Sequence, residues 1–134
     1  MNTCCALFSA LLKERELNFQ TREIDNNESV ISFPYKGKVT ECFFGGDEGQ
    51  YFSLYTVLER VPEEKFTEVV LLCNNLNAQY KWITYYVDKD KDIVAHSDAI
   101  LSVESAADEA FEILVRCLQI TEEIKPELMR AIYA

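Results

Sequence analysis

Residues 66–94 constrain the fold of this 134-residue chain more than any other stretch. Apolar residues recur at helical spacing as far as Tyr80, and an aromatic segment, 82–87, follows at once. An acidic turn then leads into a second apolar segment, 92–97. This pattern predicts an amphipathic helix followed directly by a β-hairpin. The unit holds no group able to perform chemistry, so it indicates a fold more than an activity.

A second set of strands is predicted before that helix. Residues 29–35 place Ile31, Phe33 and Tyr35 on one face, and a short Lys-Gly-Lys connection leads into 39–44. A glycine-rich turn then leads into 50–58, so these segments predict a three-stranded meander. Residues 19–24 are a candidate for a short additional edge strand. Asp25-Asn26-Asn27 has the composition of a turn.

Three amphipathic segments predict helices. The first spans about 3–17, with Ala6, Leu7, Ala10 and Leu11 at helical spacing. The middle helix begins after Pro62, and its predicted buried stripe is Phe66, Val69, Val70, Cys73, Leu76 and Tyr80. The stripe predicted for the last helix is Ala107, Ala110, Phe111, Leu114, Cys117 and Leu118. Pro126 lacks an amide hydrogen, which predicts a kink or restart between Thr121 and Pro126.

The element order is therefore α-β-β-β-α-β-β-α. Hairpin connections within each strand set imply antiparallel pairing, and the helices must then cover a face or an end of the sheet. We predict an α+β fold with an antiparallel sheet of about five strands and three helices. The length is typical of one domain, which we assign to residues 1–134.

Composition limits the partners and the compartment. The formal net charge of −10 repels nucleic-acid phosphates and anionic lipids, so neither nucleic acid nor a membrane is expected as a partner. The cysteines are odd in number and lack metal-site spacing, which is typical of reduced thiols in the cytoplasm. They are Cys4, Cys5, Cys42, Cys73 and Cys117. The apolar stretch 4–12 is too short to span a membrane.

Asp88, Asp90 and Asp92 have the spacing that opens a calcium-binding loop. The remainder of that pattern fails, because Ile93 stands where glycine is needed and Ala99 where a bidentate glutamate is needed. We interpret the segment as an acidic hairpin turn and predict no metal site and no cofactor.

His96 is the only imidazole, so any cysteine–histidine catalytic pair must use it. Asp98 is predicted on the same strand face and could orient the ring, while Cys42 is the cysteine most plausible on a neighbouring strand. No oxyanion-hole motif accompanies them, so we interpret His96 as an ordinary strand residue. The asparagines at 74, 75 and 77 are interpreted as a polar tie between the helix end and the next strand, with a ligand contact as the alternative.

Aromatic residues mark a candidate interaction surface. If Phe33, Phe44, Phe52 and Leu54 face the core, the opposite sheet face carries aromatic side chains that suit an interface. The residues assigned to it are Tyr51, Tyr55, Trp82 and Tyr86. Three hypotheses stay open at this point: a symmetric dimer, a groove for an extended peptide, or burial of this face by the first or last helix.

Residues 72–88 resemble the core of the YbjN-type proteins. The shared pattern is Asn-x-x-Asn at 74–77, an aromatic strand, and a turn that opens with Asp88. The likeness extends in element order over nearly the whole chain, including Val-Pro-Glu-Glu at 61–64. The turn glycine usual in the family is replaced by Lys-Asp-Lys at 89–91.

The resemblance implies a bacterial sensory transduction regulator with the fold of class I type III secretion chaperones. It further implies a cytoplasmic, often dimeric module that binds a protein or peptide and has no enzymatic activity. The residues carried over are Asn77, Trp82, Tyr86 and Asp88, to which we assign structural roles first. The competing hypothesis is a small enzyme or ligand-binding domain with a pocket between helix and sheet, which the lack of clustered catalytic groups disfavours.

Overall fold

A computed structural model describes residues 1–24 and 27–134 of the chain. The turn predicted at Asp25-Asn26-Asn27 falls mostly on the two residues outside this description. The described chain forms three helices and six strands, with single 3₁₀ turns before the second and third helices. In chain order they are α1 (Thr3–Glu14), β1 (Gln20–Ile24), β2 (Glu28–Tyr35), β3 (Lys38–Gly45), β4 (Tyr51–Arg60), α2 (Phe66–Gln79), β5 (Thr84–Val87), β6 (Asp92–Ile100) and α3 (Ala106–Tyr133).

All strands belong to one antiparallel sheet in the order β1-β2-β3-β4-β6-β5. The α+β class, the antiparallel pairing and the helix positions are therefore confirmed. The strand count is six rather than about five, because the candidate edge segment forms β1 and pairs with β2 from Gln20–Ser32 to Ile24–Glu28. Every residue of β1 is exposed, so this strand lacks the apolar alternation by which the others were predicted.

The core lies on one face of the sheet. Phe33, Phe44, Phe52 and Leu54 are buried there as predicted, with exposed fractions of 7% or less. The Phe44 ring packs between Phe8 of α1, with ring centroids 5.8 Å apart, and Phe52, at 5.1 Å. The buried apolar residues of all three helices join this cluster, so the helices form a single layer over one sheet face.

The buried faces of α1 and α2 differ from the prediction. In α2 the buried residues are Val69, Cys73 and Leu76, whereas Phe66 is 36% and Val70 is 39% exposed. The helix lies against the edge strand β5, and one narrow stripe is enough to cover so small an area. The face predicted for α1 was also wrong, because Ala6, Leu7 and Ala10 are exposed. The buried residues of this helix include Cys4, Cys5, Phe8 and Leu12.

The break predicted near Pro126 is absent, because α3 continues from Ala106 to Tyr133. Proline removes one intrahelical hydrogen bond, but Pro126 itself lies on the exposed side. The helix is held on both sides of it by the burial of Ile120, Ile124, Leu128 and Ile132. Among the described residues, no helix is both long enough and apolar enough to cross a membrane.

Candidate protein-binding surface

The sheet face opposite the helices, here called the open face, carries several large apolar side chains in contact with solvent. Tyr51 is 57% exposed, Val57 is 54% exposed and Ile100 is 77% exposed. Strand register places all three on this side, since Tyr51 pairs with Ile100 and Val57 with Val94. No helix of the described chain packs here, so the hypothesis that the first or last helix buries this face is wrong.

Four rings form a continuous row across the open face. The Phe43 and Tyr55 ring centroids are 5.7 Å apart, and Tyr55 stacks on His96 at 4.2 Å. Tyr86 meets His96 edge-on at 5.9 Å. Because the rings come from four neighbouring strands, β3, β4, β6 and β5, their positions are fixed by the sheet. We call this row, together with Tyr51, Val57 and Ile100, the aromatic surface.

A chain of hydrogen bonds fixes the centre of the aromatic surface. The Ser53 hydroxyl donates to Asp98 Oδ1 at 2.7 Å, and the same oxygen lies 2.8 Å from His96 Nε2. The Tyr86 hydroxyl lies 3.4 Å from His96 Nδ1. Partial burial raises the pKa of Asp98, but the hydrogen bonds from Ser53 and His96 outweigh it and the pKa is lowered. Asp98 is thus held as a carboxylate, and its contact with Nε2 orients the imidazole.

The open face is concave and polar beside β1. A groove of about 640 Å³ runs between β1, β2 and β3. Arg22 Nη1 lies 3.2 Å from Glu41 Oε2, and the Ser32 hydroxyl donates to the same carboxylate. The aromatic surface is therefore bordered by paired charges, an arrangement typical of the polar rim of a protein interface.

The structure separates the groups needed for a cysteine–histidine pair. Cys42 is fully buried on the helix side of the sheet, whereas His96 lies on the open face. Burial is the main reason that the pKa of the Cys42 thiol is raised, which suppresses the nucleophilic thiolate. All five cysteines are free and buried. Within residues 1–24 and 27–134, no group of three potential metal ligands comes together.

A small cavity lies between α3 and the inner face of the sheet, where the ligand-binding hypothesis requires one. Its volume is about 60 Å³, well below the ~300–1,000 Å³ of typical small-molecule sites. The hydroxyls of Thr40 and Thr56 within it bond each other at 2.7 Å, and Thr56 lies 3.9 Å from the Cys117 sulfur. The two threonine hydroxyls thus have each other as hydrogen-bond partners, and the Cys117 sulfur contacts a hydroxyl.

Of the four residues predicted for the interaction surface, Tyr51, Tyr55 and Tyr86 share the open face and Trp82 does not. The strand begins at Thr84, two residues later than predicted, and Trp82 lies in the preceding bend with a φ of +80°. It lines a separate groove between the end of β6 and α3. The predicted set is therefore divided between two locations.

Asn77 and Asp88 make contacts that favour the structural roles assigned to them. The Asn77 side chain accepts from the Tyr85 amide at 2.8 Å and donates to the Tyr85 carbonyl at 2.9 Å, closing the outer edge of β5. Asp88 Oδ1 accepts from the amides of Asp90 and Asp92, each at 2.9 Å, which organises the turn between β5 and β6. The calcium-like spacing of the aspartates thus coincides with turn chemistry.

Sequence reasoning missed Phe43, Val57 and Ile100 as members of the aromatic surface, and it assigned His96 no role there. Val57 continues the alternation of Tyr51 and Tyr55, so extending that pattern would have found it. Ile100 lies beyond the predicted end of its strand at residue 97. The Tyr55–His96 stack depends on the pairing of β4 with β6, two strands distant in sequence, and no local pattern indicates it.

Comparison with known proteins identifies a family and a similar solved structure. A model of the YbjN family, described as "Putative bacterial sensory transduction regulator", matches residues 5–128. No curated protein matches significantly. Among solved structures, the crystal structure of the ExsC–ExsE complex is similar with a TM-score of 0.48 and 12% sequence identity. That similarity covers 96% of this chain and 97% of the other.

Proposed function

We propose that this chain, which belongs to the YbjN family, is a regulatory or chaperone-like protein without enzymatic activity. In this proposal it acts by binding another protein through the aromatic surface. The observation that carries the proposal is the row of rings and exposed aliphatic side chains on a sheet face that no helix of the described chain covers.

The energetics favour association at this surface. Tyr51, Val57 and Ile100 keep more than half of their surface in contact with water. Burying such side chains against a partner is favourable by roughly 25 cal/mol for each Å² of apolar area removed from water. Tyrosine is enriched at interfaces because it combines a large rigid ring with a polar tip. The ring row is ordered before any partner arrives, which reduces the entropic cost of binding.

The location of the titratable groups supports a binding role over catalysis. Cys42 and His96 lie on opposite sheet faces, and the cavity beside Cys117 is small. Five buried free thiols are consistent with the cytoplasmic location that we propose, where cysteines stay reduced.

We further propose that the first occupant of the aromatic surface is a second copy of the chain. A two-fold axis through a sheet face brings the same apolar residues of each copy together, which gives a self-complementary contact. The central Asp98 carboxylate already contacts Ser53 and His96, so it does not enter the contact between two copies as an unsatisfied hydrogen-bond acceptor. An extended peptide partner in the groove beside β1 is the alternative occupant.

Affinity capture from the native cell, followed by mass spectrometry, tests the proposed function. We expect the wild-type chain to recover a specific protein in stoichiometric amount. Replacing Tyr51 and Val57 together by serine should reduce that recovery by about tenfold or more, because exposed anchor residues carry most of the binding energy at interfaces. Both residues are more than half exposed, so the fold should tolerate the change.

The matched control replaces Leu71 and Tyr133 by serine. These side chains are 59% and 70% exposed, but they lie on helices away from the open face. The control should recover the partner as the wild type does. Equal recovery by all three baits, or no specific protein from any of them, would refute the assignment of the surface.

A further inference from the structure

Trp82 combines an exposed indole ring with a strained backbone. Its side chain is 63% exposed, and its backbone has a φ of +80°, a region that bulky side chains rarely occupy. Such strain in an exposed aromatic residue suggests a role outside the folding of the chain itself. It is also the single tryptophan of the sequence.

The groove beside Trp82 has an apolar floor. Trp82 and Ile100 are two of the most exposed large apolar residues of the described chain, and together with Ile113 of α3 they line a space of about 270 Å³. The groove lies at the end of β6, where Ile100 also belongs to the aromatic surface. A partner bound on the open face could therefore extend a segment into it.

The charges around the groove are predominantly negative. Glu112 Oε1 accepts from Arg116 Nη2 at 2.9 Å and from Nε at 3.1 Å, so the guanidinium is already compensated. Glu109 also lines the groove, and its carboxylate accepts the backbone amide of Ser102 at 2.9 Å. Within residues 1–24 and 27–134, Glu109 therefore has no ion-pair partner beside the exposed indole ring.

We infer that this groove binds an apolar side chain flanked by lysine or arginine in a segment of the partner protein. The inference rests on the proposed function and specifies the chemistry of the partner. The apolar side chain would cover Trp82, Ile100 and Ile113, while the cation would lie near Glu109 and the indole ring, which attracts cations through its π-face.

Fluorescence of Trp82 offers a direct test with synthetic peptides as probes, because no other tryptophan contributes. Three peptides are compared: alternating leucine and arginine, alternating leucine and glutamate, and alternating serine and arginine. We expect the leucine–arginine peptide to shift the emission to shorter wavelength and to bind at least about tenfold more tightly than either other peptide. Equal binding of the leucine–glutamate peptide would overturn the inference.

Two variants separate binding from folding. Trp82→Gly removes the ring and suits the positive φ, so it should leave the free energy of unfolding unchanged or higher while dye-labelled leucine–arginine peptide binds about tenfold more weakly. Glu112→Lys should weaken binding of the same peptide by a similar factor. Glu64→Lys makes the same charge reversal on an exposed residue outside the groove, and it should leave peptide binding unchanged.

Several results would refute binding of this segment at the groove and leave the proposed function intact. One is unchanged peptide binding by Trp82→Gly. Another is an equal loss in Glu64→Lys and Glu112→Lys, which would assign the effect to net charge. A third is full recovery of the cellular partner by Trp82→Gly while the Tyr51 and Val57 double variant loses it, because the aromatic surface would then act without the groove.

Discussion

Replacing Leu76 by alanine is expected to lower the free energy of unfolding by about 3 kcal/mol, a value typical of a buried leucine. Leu76 has no exposed surface and joins α2 to the core shared by the sheet and the other helices. Val70→Ala on the same helix should change the free energy by about 0.5 kcal/mol or less, because this side chain is 39% exposed. Urea unfolding of both variants measures the difference.

Glu68→Ala is the control for a solvated position on α2, and it should behave like Val70→Ala. The ranking of the variants tests which face of α2 packs inward. Similar losses for Leu76→Ala and Val70→Ala would mean that the helix is rotated towards the stripe expected from sequence. A small effect of Leu76→Ala alone would mean that α2 does not contribute to the cooperative core.

Replacing Asn77 by alanine is expected to lower the free energy of unfolding by about 1 to 2 kcal/mol. The change removes the side-chain hydrogen bonds to the Tyr85 amide and to the Tyr85 carbonyl, which leaves the outer edge of β5 open. Urea unfolding measures the loss, and hydrogen exchange at the Tyr85 amide should accelerate, because that amide loses its acceptor. An unprotected strand edge should also make the variant more prone to aggregate.

Asn75→Ala is a closely matched control for Asn77→Ala. Both changes exchange asparagine for alanine in α2, and both therefore gain helix propensity of about 0.5 kcal/mol. Asn75 is exposed and makes no side-chain hydrogen bond within the described residues. Asn75→Ala should thus be neutral or slightly stabilising. If the free energy of unfolding fell equally in both variants, the Asn77–Tyr85 hydrogen bonds would not stabilise the edge of β5.

The strands were the most predictable part of the fold. Side chains alternate with a period of two, so Ile31 and Phe33, or Phe52 and Leu54, indicate both the strand and its buried face. The helix faces were less predictable, because apolar residues such as Leu7 and Val70 occupy more of each helix than the core covers. Which stripe is buried depends on tertiary packing, and local spacing does not determine it.

The candidate site was predictable in part for the same reason. Tyr51 and Tyr55 were assigned to the open face from alternation alone, and the structure places them there. Trp82 was assigned to a strand because it begins the aromatic segment 82–87, yet its positive φ takes it out of β5. The contact between Tyr55 and His96 arises from strand order, which depends on how the second hairpin inserts beside β4.

Light scattering across a concentration series tests most directly whether the aromatic surface associates. We predict that the wild-type chain approaches twice its monomer mass of 15.5 kDa as concentration rises. Tyr55→Glu, and Tyr51→Glu at a more exposed position, should remain at the monomer mass, because a charge would be buried at the contact. Tyr133→Glu, on α3, should dimerise as the wild type does. A wild-type chain that stays at 15.5 kDa throughout, with elution unchanged by Tyr55→Glu, would contradict the proposed dimer.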